Sequence, residues 1–433
     1  MDYNMDYKKL RDAEQAPLWQ RLEERIGEPY GKEITEAFRE FNSLFTDDVL
    51  VWLAGLYDAD IGGFYFSNSA RDNDGFLPDA ESTKQAFDFL EGTGLLDHCG
   101  KDFSRGLPKR MLDDVSNFVF NLQDSDGYFY HPQWGKNIYV TRRGRDLLWC
   151  THILSRLGRE SKYPTILGTE KKNDTTLIPE HLRSEEAFRE YLSSLDIRQN
   201  SYAIGNELAE QRHQITATGR AAQCIKFLDE NQNPENGSWD YKKPSDVDFD
   251  EYMSTNGIMK ISVLYNHVGA PLNYPEKMAK TIMNVLSSES DARAGVDIYN
   301  PWYALINLMN NLKEHATDSA LVERIKNSVY EKAPYLIRNS LRRIRAFKRP
   351  DGSFGYLKVG SCPTSQGAPV ALRDVYEGDV NGTVIATLGI VGFIYSALDL
   401  FEYRVPFFTK RDMDRFLTLI ENKYDNLRKE EKS

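Results

Sequence analysis

The chain has 433 residues, with 65 acidic and 54 basic side chains, so its net charge is −11. A hydrophobic share of 41% and an aromatic share of 12% are enough for a large core, which excludes a disordered chain. Phosphate contacts need clustered Lys and Arg, so a uniformly acidic chain is a poor candidate for binding nucleic acid. At roughly 150 residues per domain, the length alone would allow about three domains.

The N-terminal segment shows no secretory signal. Residues 1–15, MDYNMDYKKLRDAEQ, place acidic side chains before any apolar run. The four cysteines, Cys99, Cys150, Cys224 and Cys362, are far apart and never spaced as CxxC, which favours free thiols in a reducing compartment. The sequence therefore predicts a cytoplasmic protein.

One turn pattern recurs along the chain. Each copy follows an apolar helical run and presents polar turn-forming residues, a glycine, and an aromatic residue one or two positions later. The copies are GLYDADIGGFYFS (55–67), NLQDSDGYFYHPQW (121–134), DENQNPENGSWDYKK (229–243) and AFKRPDGSFGYLK (346–358). Glycine in such a turn adopts a positive φ without a Cβ clash. The aromatic residue is predicted to fold back onto the preceding helix.

The turn glycines set the length of the repeat. Gly63, Gly127, Gly237, Gly295 (a weaker turn) and Gly352 have successive separations of 64, 110, 58 and 57 residues. The longest step leaves room for one more helix pair, with its turn near 197–200. Six units of roughly sixty residues indicate a repeat architecture.

Each unit is predicted to hold two helices of different character. The helix before a turn is amphipathic, as where Ile337, Leu341 and Ile344 recur at helical spacing between arginines. The helix after a turn is far more apolar, as in 254–269 and 381–400. Amphipathic outer helices alternating with buried inner helices predict an all-α protein, a single (α/α)6 toroid of about twelve helices with short turns and few strands.

The predicted toroid spans 45–404, with an N-terminal helical extension at 1–44 and a C-terminal helix at 405–433. The most apolar stretch, 384–398, is about fifteen residues long, whereas a membrane-spanning helix needs about twenty apolar residues. This stretch is therefore predicted to be a helix buried in the core, and no membrane span is predicted.

The segment RAAQCIKFLDENQNPENGSW (220–239) resembles the QW repeat of the squalene-cyclase and prenyltransferase β-subunit toroids. Gln232, Gly237 and Trp239 match the corresponding positions of that repeat, and the other three turns match it in part. The resemblance implies an α/α toroid, a topology that also serves (α/α)6 glycoside hydrolases and polysaccharide lyases. It does not imply a chemistry, because the chain has neither a DxDD nor a DDxxD motif.

In such a ring, the segments that lead from each turn into the inner helix line a central funnel. Here they supply carboxylates, amides, arginines and large aromatic rings. Sugar hydroxyls need many fixed donors and acceptors, and sugar rings stack on Trp and Tyr, whereas a cyclising hydrocarbon needs a cavity with almost no polar groups. The lining therefore predicts a carbohydrate-active enzyme, a glycoside hydrolase acting on an oligosaccharide.

Glycoside hydrolysis needs two carboxylates across the funnel, as general acid and as base or nucleophile. The candidates are Asp379, Glu377, Asp250, Glu251 and Asp79. The substrate-binding candidates are Arg142, Arg145, His131, Trp134, Tyr202, Asn206, Asn256, Asn300, Trp302 and Asn381. The two arginines would hold the carboxylate of a uronate sugar in bidentate fashion.

Structural roles compete with these assignments. Asp79 and Asp379 are both well placed as helix N-caps, and the acidic run 246–251 is equally a solvated loop. His131 and His267 have no HxxxH or HExxH partner, so they are interpreted as structural and no metal is predicted. No P-loop, dinucleotide fingerprint or nucleophile elbow is present, so no cofactor is predicted.

Three alternatives to a hydrolase stay open. The first is a terpenoid-cyclase- or prenyltransferase-like enzyme on an isoprenoid substrate, with Asp248 or Asp250 as proton donor. The second is a polysaccharide or oligosaccharide lyase, with Tyr130 or His131 as base. The third is a non-catalytic toroid that binds a protein partner. A closed aromatic cavity would argue against a sugar substrate.

Overall fold

The computed structural model describes residues 3–165, 179–242 and 250–430. The α-helices are, in chain order, α1 Tyr3–Ile26, α2 Gly31–Asn42, α3 Asp48–Leu56, α4 Asn68–Arg71, α5 Ala80–Gly92, α6 Phe103–Gly106, α7 Lys109–Leu122, α8 Val140–Arg156, α9 Glu185–Ser194, α10 Ser201–Glu210, α11 Arg212–Ala217, α12 Ala221–Asn231, α13 Glu251–Val268, α14 Pro275–Leu286, α15 Val296–His315, α16 Ser319–Ile344, α17 Val380–Val384, α18 Gly392–Ala397 and α19 Lys410–Glu430. A π-helical segment, Ile385–Val391, joins α17 to α18. Short 3-10 turns lie at Asp97–Cys99, Glu180–Leu182, Arg345–Phe347 and Phe401–Tyr403.

Strands are few and short in the described part of the chain. They form two antiparallel hairpins, β1 Tyr57–Asp58 with β2 Gly63–Phe64 and β3 Thr364–Ser365 with β4 Ala368–Pro369. The prediction of an all-α protein with few strands is confirmed.

Three of the four strong turns have the predicted backbone. Gly127, Gly237 and Gly352 have φ values of +86°, +73° and +83°. In the first turn the positive φ, +87°, falls on Gly62 instead. The choice of Gly63 is therefore wrong, because that residue already begins β2.

The two weaker turns differ from each other. Gly295 lies in a turn that directly precedes α15, but its φ is −55°, so this turn does not need the positive φ of the strong turns. The turn predicted near 197–200 is present between α9 and α10. There the carbonyl oxygen of Asp196 accepts hydrogen bonds from the backbone N–H groups of Gln199 and Asn200.

The aromatic residues that follow the turns are buried, as predicted. Phe64, Phe129, Trp239 and Phe354 are each at most 1% exposed. Trp239 shows why: its indole Nε1 donates a hydrogen bond of 2.8 Å to the carbonyl oxygen of Leu228 in α12, the helix that precedes the turn. The ring of Trp239 thus holds its turn against the preceding helix, and all four rings add a large apolar area to the core.

The more apolar helices pack against one another in chain order. α5 packs against α8, α10 against α13, α13 against α15, α15 against α18, and α17 returns to α5. Outside them, α7 packs against α8, α14 against α15 and α16, α2 against α16, and α19 against α3. Among the described residues, only the step from α8 to α10 lacks comparable packing. These contacts are compatible with the predicted ring, and its bounds at 45–404 stay a prediction.

The segment 380–397 is strongly apolar. It runs through α17, the π-helical segment and α18. Within the described residues it is the single helix long and apolar enough to cross a membrane by length and composition. In the fold, 67% of it is buried inside the protein. Packing against α5 and α15 accounts for that apolar composition.

Candidate functional site

The N-terminal ends of α5, α8 and α17 lie together, because α5 packs against both other helices. Asp79 precedes α5 and accepts hydrogen bonds from the backbone N–H groups of Glu81 and Ser82 at 2.9 and 3.1 Å. Asp379 precedes α17 and accepts one from the N–H of Gly382 at 2.6 Å. Both are N-caps, and both are buried, at 2% and 0% exposed. Capping therefore places two buried carboxyls at the same end of the inner helices.

Arg142, at the start of α8, is the centre of a buried charged cluster. Its Nη2 lies 3.3 Å from Asp79 Oδ1, its Nη1 lies 2.9 Å from Glu81 Oε2, and its Nε lies 3.0 Å from Asp146 Oδ1. The ring of Trp134 covers the guanidinium at 4.3 Å. We call these four charged residues the Arg142 cluster. One buried guanidinium thus faces three buried carboxyls, an arrangement that is costly if all three are ionised.

Burial raises the proton affinity of two carboxyls in the Arg142 cluster. Burial raises the pKa of Asp146 to about 7, even though Arg142 acts to lower it. Burial also raises the pKa of Glu81, while the positive charge of Arg142 opposes the shift and the negative charge of Asp79 adds to it. The Arg142 cluster therefore holds a proton close to neutral pH.

We expect Asp146→Asn to flatten the pH dependence of the free energy of unfolding. The folded pKa of Asp146 lies above the 3.8 of an ordinary aspartate, so the folded state binds the extra proton between about pH 4 and pH 7. Stability therefore falls as the pH rises through this window, by a few kcal/mol at most. Asparagine does not titrate, so the free energy of unfolding of the variant lacks this part of the pH dependence.

Urea unfolding between pH 4.5 and pH 8 measures the effect. The control is Asp113→Asn, which removes a partly exposed aspartate of α7 that is paired with Lys109 and Arg159. If the free energy of unfolding of Asp146→Asn varied with pH as steeply as that of the unsubstituted protein, this carboxyl would not carry the proton.

Glu377 and Asp379 fasten the loop that precedes α17. The Oε2 atom of Glu377 accepts a hydrogen bond of 2.8 Å from the N–H of Ser69, and Oε1 accepts one of 2.5 Å from the hydroxyl of the same serine. The Oδ2 atom of Asp379 accepts from the N–H groups of Tyr356 and Cys362 at 2.8 and 3.3 Å. Burial raises the pKa of Asp379 to about 7, against these backbone hydrogen bonds, which lower it. Both carboxyls are engaged by protein donors.

An open cleft of about 570 Å³ lies beside the Arg142 cluster. Its wall combines side-chain amides, aromatic rings and the β3–β4 hairpin, with Gln133, Trp134, Asn137, Tyr139, Arg142 and Gln366 among the lining residues. Ser365 holds the hairpin in place by donating a hydrogen bond from its hydroxyl to Glu81 Oε2. Tyr139 stands at the rim, 70% exposed, and its ring lies so close to Gly367 that a Cβ there would be 2.3 Å from it.

A second cavity, of about 420 Å³, lies between α5, α8, α15 and the segment 380–397. Polar residues of α5 line one side of it, and aromatic and aliphatic residues line the other, among them Lys84, Gln85, Asp88, Trp149, Tyr299, Asn381, Leu388 and Phe393. We call it the central cavity. Of the predicted substrate-binding residues, Asn381 lines the central cavity, whereas Trp134 and Arg142 line the cleft. The lining of the central cavity is neither uniformly polar nor a closed aromatic surface.

Two predicted binding residues are taken up by structural contacts. Trp302 is fully buried, and its Nε1 donates to the hydroxyl of Ser340 at 2.9 Å. His131 is buried with Nε2 at 2.9 Å from the carbonyl oxygen of Pro78, while Nδ1 accepts from the N–H of Gln133 at 3.3 Å. Burial lowers the pKa of His131, so this histidine is neutral and both its nitrogens are used.

The amide candidates on the inner helices lie apart from the Arg142 cluster in the chain and have partners of their own. Asn206 donates to a glutamate one turn later on α10 at 3.2 Å, and Asn300 donates to a tyrosine hydroxyl of α13 at 3.1 Å. Asn256 is buried, with Nδ2 at 3.8 Å from a methionine sulfur of its own helix. Tyr202 is half-buried against the hydrophobic core.

The remaining candidates begin α13 or lie on the surface of α8. Asp250 is the N-cap of α13, accepting from a backbone N–H two residues on, and Glu251 accepts a hydrogen bond of 3.3 Å from Asn284 on α14. Glu251 is thereby held towards a neighbouring outer helix. Arg145 is exposed, with its guanidinium 5.6 Å from the ring of Trp149. Asp248, like the rest of 243–249, lies outside the described residues.

Asp146, Ser365 and Tyr139 are parts of the site that the sequence-based candidates do not include. Asp146 follows Arg142 by four residues on one helix, and this spacing of opposite charges is a readable signal for an ion pair. Ser365 has no such signal, because its contact with Glu81 joins residues 284 positions apart.

Comparison of the chain with protein-family models finds no match, and comparison with curated proteins finds none either. In the part of the chain that the structure describes, no group of three or more His, Cys, Asp or Glu side chains is arranged to hold a metal ion. All four cysteines are free thiols.

Proposed function

We propose that the helix pairs form one (α/α)6 toroid, with the architecture of the terpenoid-cyclase and prenyltransferase β-subunit toroids. The order of packing supports this: the more apolar helices contact their neighbours in sequence, and α17 returns to α5. The QW-like segment supports it as well, because the indole of Trp239 is bonded to the helix before its turn.

On this frame, we propose that the protein is a carbohydrate-active enzyme that binds an oligosaccharide in the cleft. The observation that carries the proposal is the wall of the cleft. Asn137 and Gln366 bring carboxamides, which both donate and accept hydrogen bonds, to the same surface as the exposed ring of Tyr139. Sugars present alternating hydroxyls and apolar ring faces, and this pair of features complements both.

The reaction proposed is hydrolysis of a glycosidic bond, with Glu81 as proton donor. A glycosidase acid needs a raised pKa, and burial provides it for Glu81. Its Oε2 contacts Arg142, which lines the cleft, and Ser365, which directly precedes the lining residue Gln366. Asp379 is a weaker candidate because the three residues that donate hydrogen bonds to its carboxyl, Tyr356, Cys362 and Gly382, do not line the cleft.

A lyase acting on uronate sugars has less support. The guanidinium of Arg142 is already engaged by three carboxyls, so it is not free to hold a substrate carboxylate. Burial and a hydrogen bond to Asp126 raise the pKa of Tyr130, which makes that residue a poorer base. The isoprenoid alternative rests on the apolar side of the central cavity.

We expect Tyr139→Ala to weaken oligosaccharide binding about tenfold, which corresponds to about 1.4 kcal/mol, because the exposed ring at the rim is the stacking surface. Tyr335→Ala is the matched control, since it removes a half-exposed tyrosine from outer helix α16. Isothermal titration calorimetry against neutral oligosaccharides, uronate oligosaccharides and polyprenyl diphosphates measures the change. Equal effects of the two substitutions would refute the location of the site, and binding confined to polyprenyl diphosphates would refute the substrate class.

The assignment of Glu81 has its own experiment. Glu81→Gln should abolish turnover of the bound oligosaccharide and leave its dissociation constant nearly unchanged. Turnover that survives in Glu81→Gln and is lost in Asp379→Asn would transfer the role of the acid to Asp379 while keeping the reaction class.

A further inference from the structure

The apolar side of the central cavity is built from aromatic rings. The ring of Phe393 lies 4.5 Å from that of Tyr299 and 4.9 Å from that of Tyr303, the second pair stacked at 24°. Val384 and Leu388 continue the same side along the helix, each partly buried. Their partial exposure shows that this surface faces the cavity and is not closed off by packing.

The helix that carries this surface has an unusual backbone. Ile385–Val391 is π-helical, a conformation that is rare and occurs often at functional sites. Two positions on this side of the cavity, Gly389 and Gly392, carry no side chain. A Cβ on Gly389 would lie 2.8 Å from the ring of Tyr299, whereas a Cβ on Gly392 would meet only the side chain of Leu388, at 3.6 Å. The backbone at Gly392 therefore borders open space.

The opposite side of the cavity is polar but balanced in charge. Gln85 donates from Nε2 to Asn381 Oδ1 at 3.1 Å, and its own Oε1 has no hydrogen-bond partner. Lys84 and Asp88 lie one helical turn apart and pair with each other at 2.5 Å. A ligand would therefore meet hydrogen-bonding groups on this side without an unpaired charge to favour an anion or a cation.

We propose that the central cavity binds a planar aromatic molecule with a hydrogen-bonding edge, at a site separate from the cleft. Rings from two helices, Tyr299 of α15 and Phe393 of α18, give two apolar faces inclined at 42° to each other, and Trp149 of α8 adds a third ring. Aromatic rings pair best with other rings in stacked or edge-on geometry. The polar edge would face the side-chain amides of Gln85 and Asn381, which line the cavity and are hydrogen-bonded to each other. A volume of about 420 Å³ suits a bicyclic ring.

The proposal is tested with 2-naphthamide as the probe and its saturated counterpart decahydro-2-naphthamide as the comparison, by isothermal titration calorimetry on the full chain. Both molecules carry the same carboxamide, and only the first is flat. The saturated molecule should bind about tenfold more weakly, because it cannot stack. Equal binding of the two molecules, or tighter binding of the linear alcohol farnesol, would overturn the proposed ligand class.

Gly392→Leu tests the location. The new side chain would enter the cavity from a regular helical position, and leucine is the better helix former, so thermal stability should not fall. We expect the binding of 2-naphthamide to weaken by about tenfold or more, because the new side chain removes a ring contact that fits the cavity. The matched control is Gly144→Leu on α8, where a Cβ has nothing within 4 Å and the position is exposed.

A second variant guards against an unexpected loss of folding. Trp149→Ala removes one of the three rings from a different helix, and it should also weaken 2-naphthamide binding. Unchanged binding in a folded Gly392→Leu protein, or equal weakening by Gly144→Leu, would place the ligand elsewhere and overturn the proposal. Because Gly392→Leu does not alter the cleft, its outcome is separate from that of the carbohydrate experiments.

Discussion

Replacing Arg142 with methionine is expected to lower the free energy of unfolding by about 3–5 kcal/mol at pH 7, the range found when one partner of a buried ion pair is removed. Methionine keeps much of the side-chain volume, so the loss is electrostatic. Without the guanidinium, Asp79, Glu81 and Asp146 would face one another in the interior with no counter-charge.

Arg145→Met on the same helix is the control. Arg145 is exposed, so the same change in size and charge should alter stability by less than about 1 kcal/mol. Urea denaturation followed by far-ultraviolet circular dichroism measures both variants.

The deficit of Arg142→Met should also depend on pH. Burial raises the pKa of Asp146 to about 7, so at pH 5 this carboxyl is largely protonated in the folded protein, and burial also raises the pKa of Glu81. A neutral carboxyl needs no counter-charge, and the variant should recover part of its stability at pH 5 relative to pH 8. A deficit below about 1 kcal/mol, or one that is the same at both pH values, would contradict the account of the Arg142 cluster.

Asp379→Ala is expected to cost about 3–5 kcal/mol of stability, since each buried donor that loses its acceptor costs about 1–3 kcal/mol. Three backbone N–H groups depend on this one carboxyl: those of Gly382 in α17, Tyr356 and Cys362. The start of α17 and the loop before it would loosen together.

Asp318→Ala provides a matched control for the loss of an N-cap. Asp318 caps α16 and accepts from two backbone N–H groups at an exposed position, where water replaces the lost acceptor. The expected cost there is about 1 kcal/mol. If both variants lost the same small amount of stability while Asp379→Ala alone lost enzymatic turnover, Asp379 would be a catalytic residue and not chiefly a structural one.

Much of the local structure could be predicted from the chain alone. The all-α class, the N-cap roles of Asp79 and Asp379 and the burial of Phe129 and Trp239 all follow from short-range rules. Helical periodicity, capping by side-chain oxygens and turns followed by aromatic rings each involve residues within about ten positions of one another. The error at Gly63 is also local. Gly62 and Gly63 are adjacent glycines that could each adopt a positive φ, and only Gly62 does so.

The site was less predictable, because charged groups interact through distances that packing decides. The sequence predicts that Arg142 holds a substrate, but in the fold its guanidinium is occupied by Asp79, Glu81 and Asp146. Two of these partners come from a different helix. Trp302, selected as a stacking surface, faces Ser340 of a neighbouring helix and is fully buried.

The sequence by itself determined a helical protein of alternating amphipathic and apolar helices, because periodicity and turn chemistry act over short stretches of chain. Only the tertiary structure decided which charges meet and where open space remains. The cleft forms where the β3–β4 hairpin meets the loop before α8, and the central cavity forms where four helices leave room beside Gly392. Both depend on residues separated by hundreds of positions, whose distances are set by the packing of the whole core.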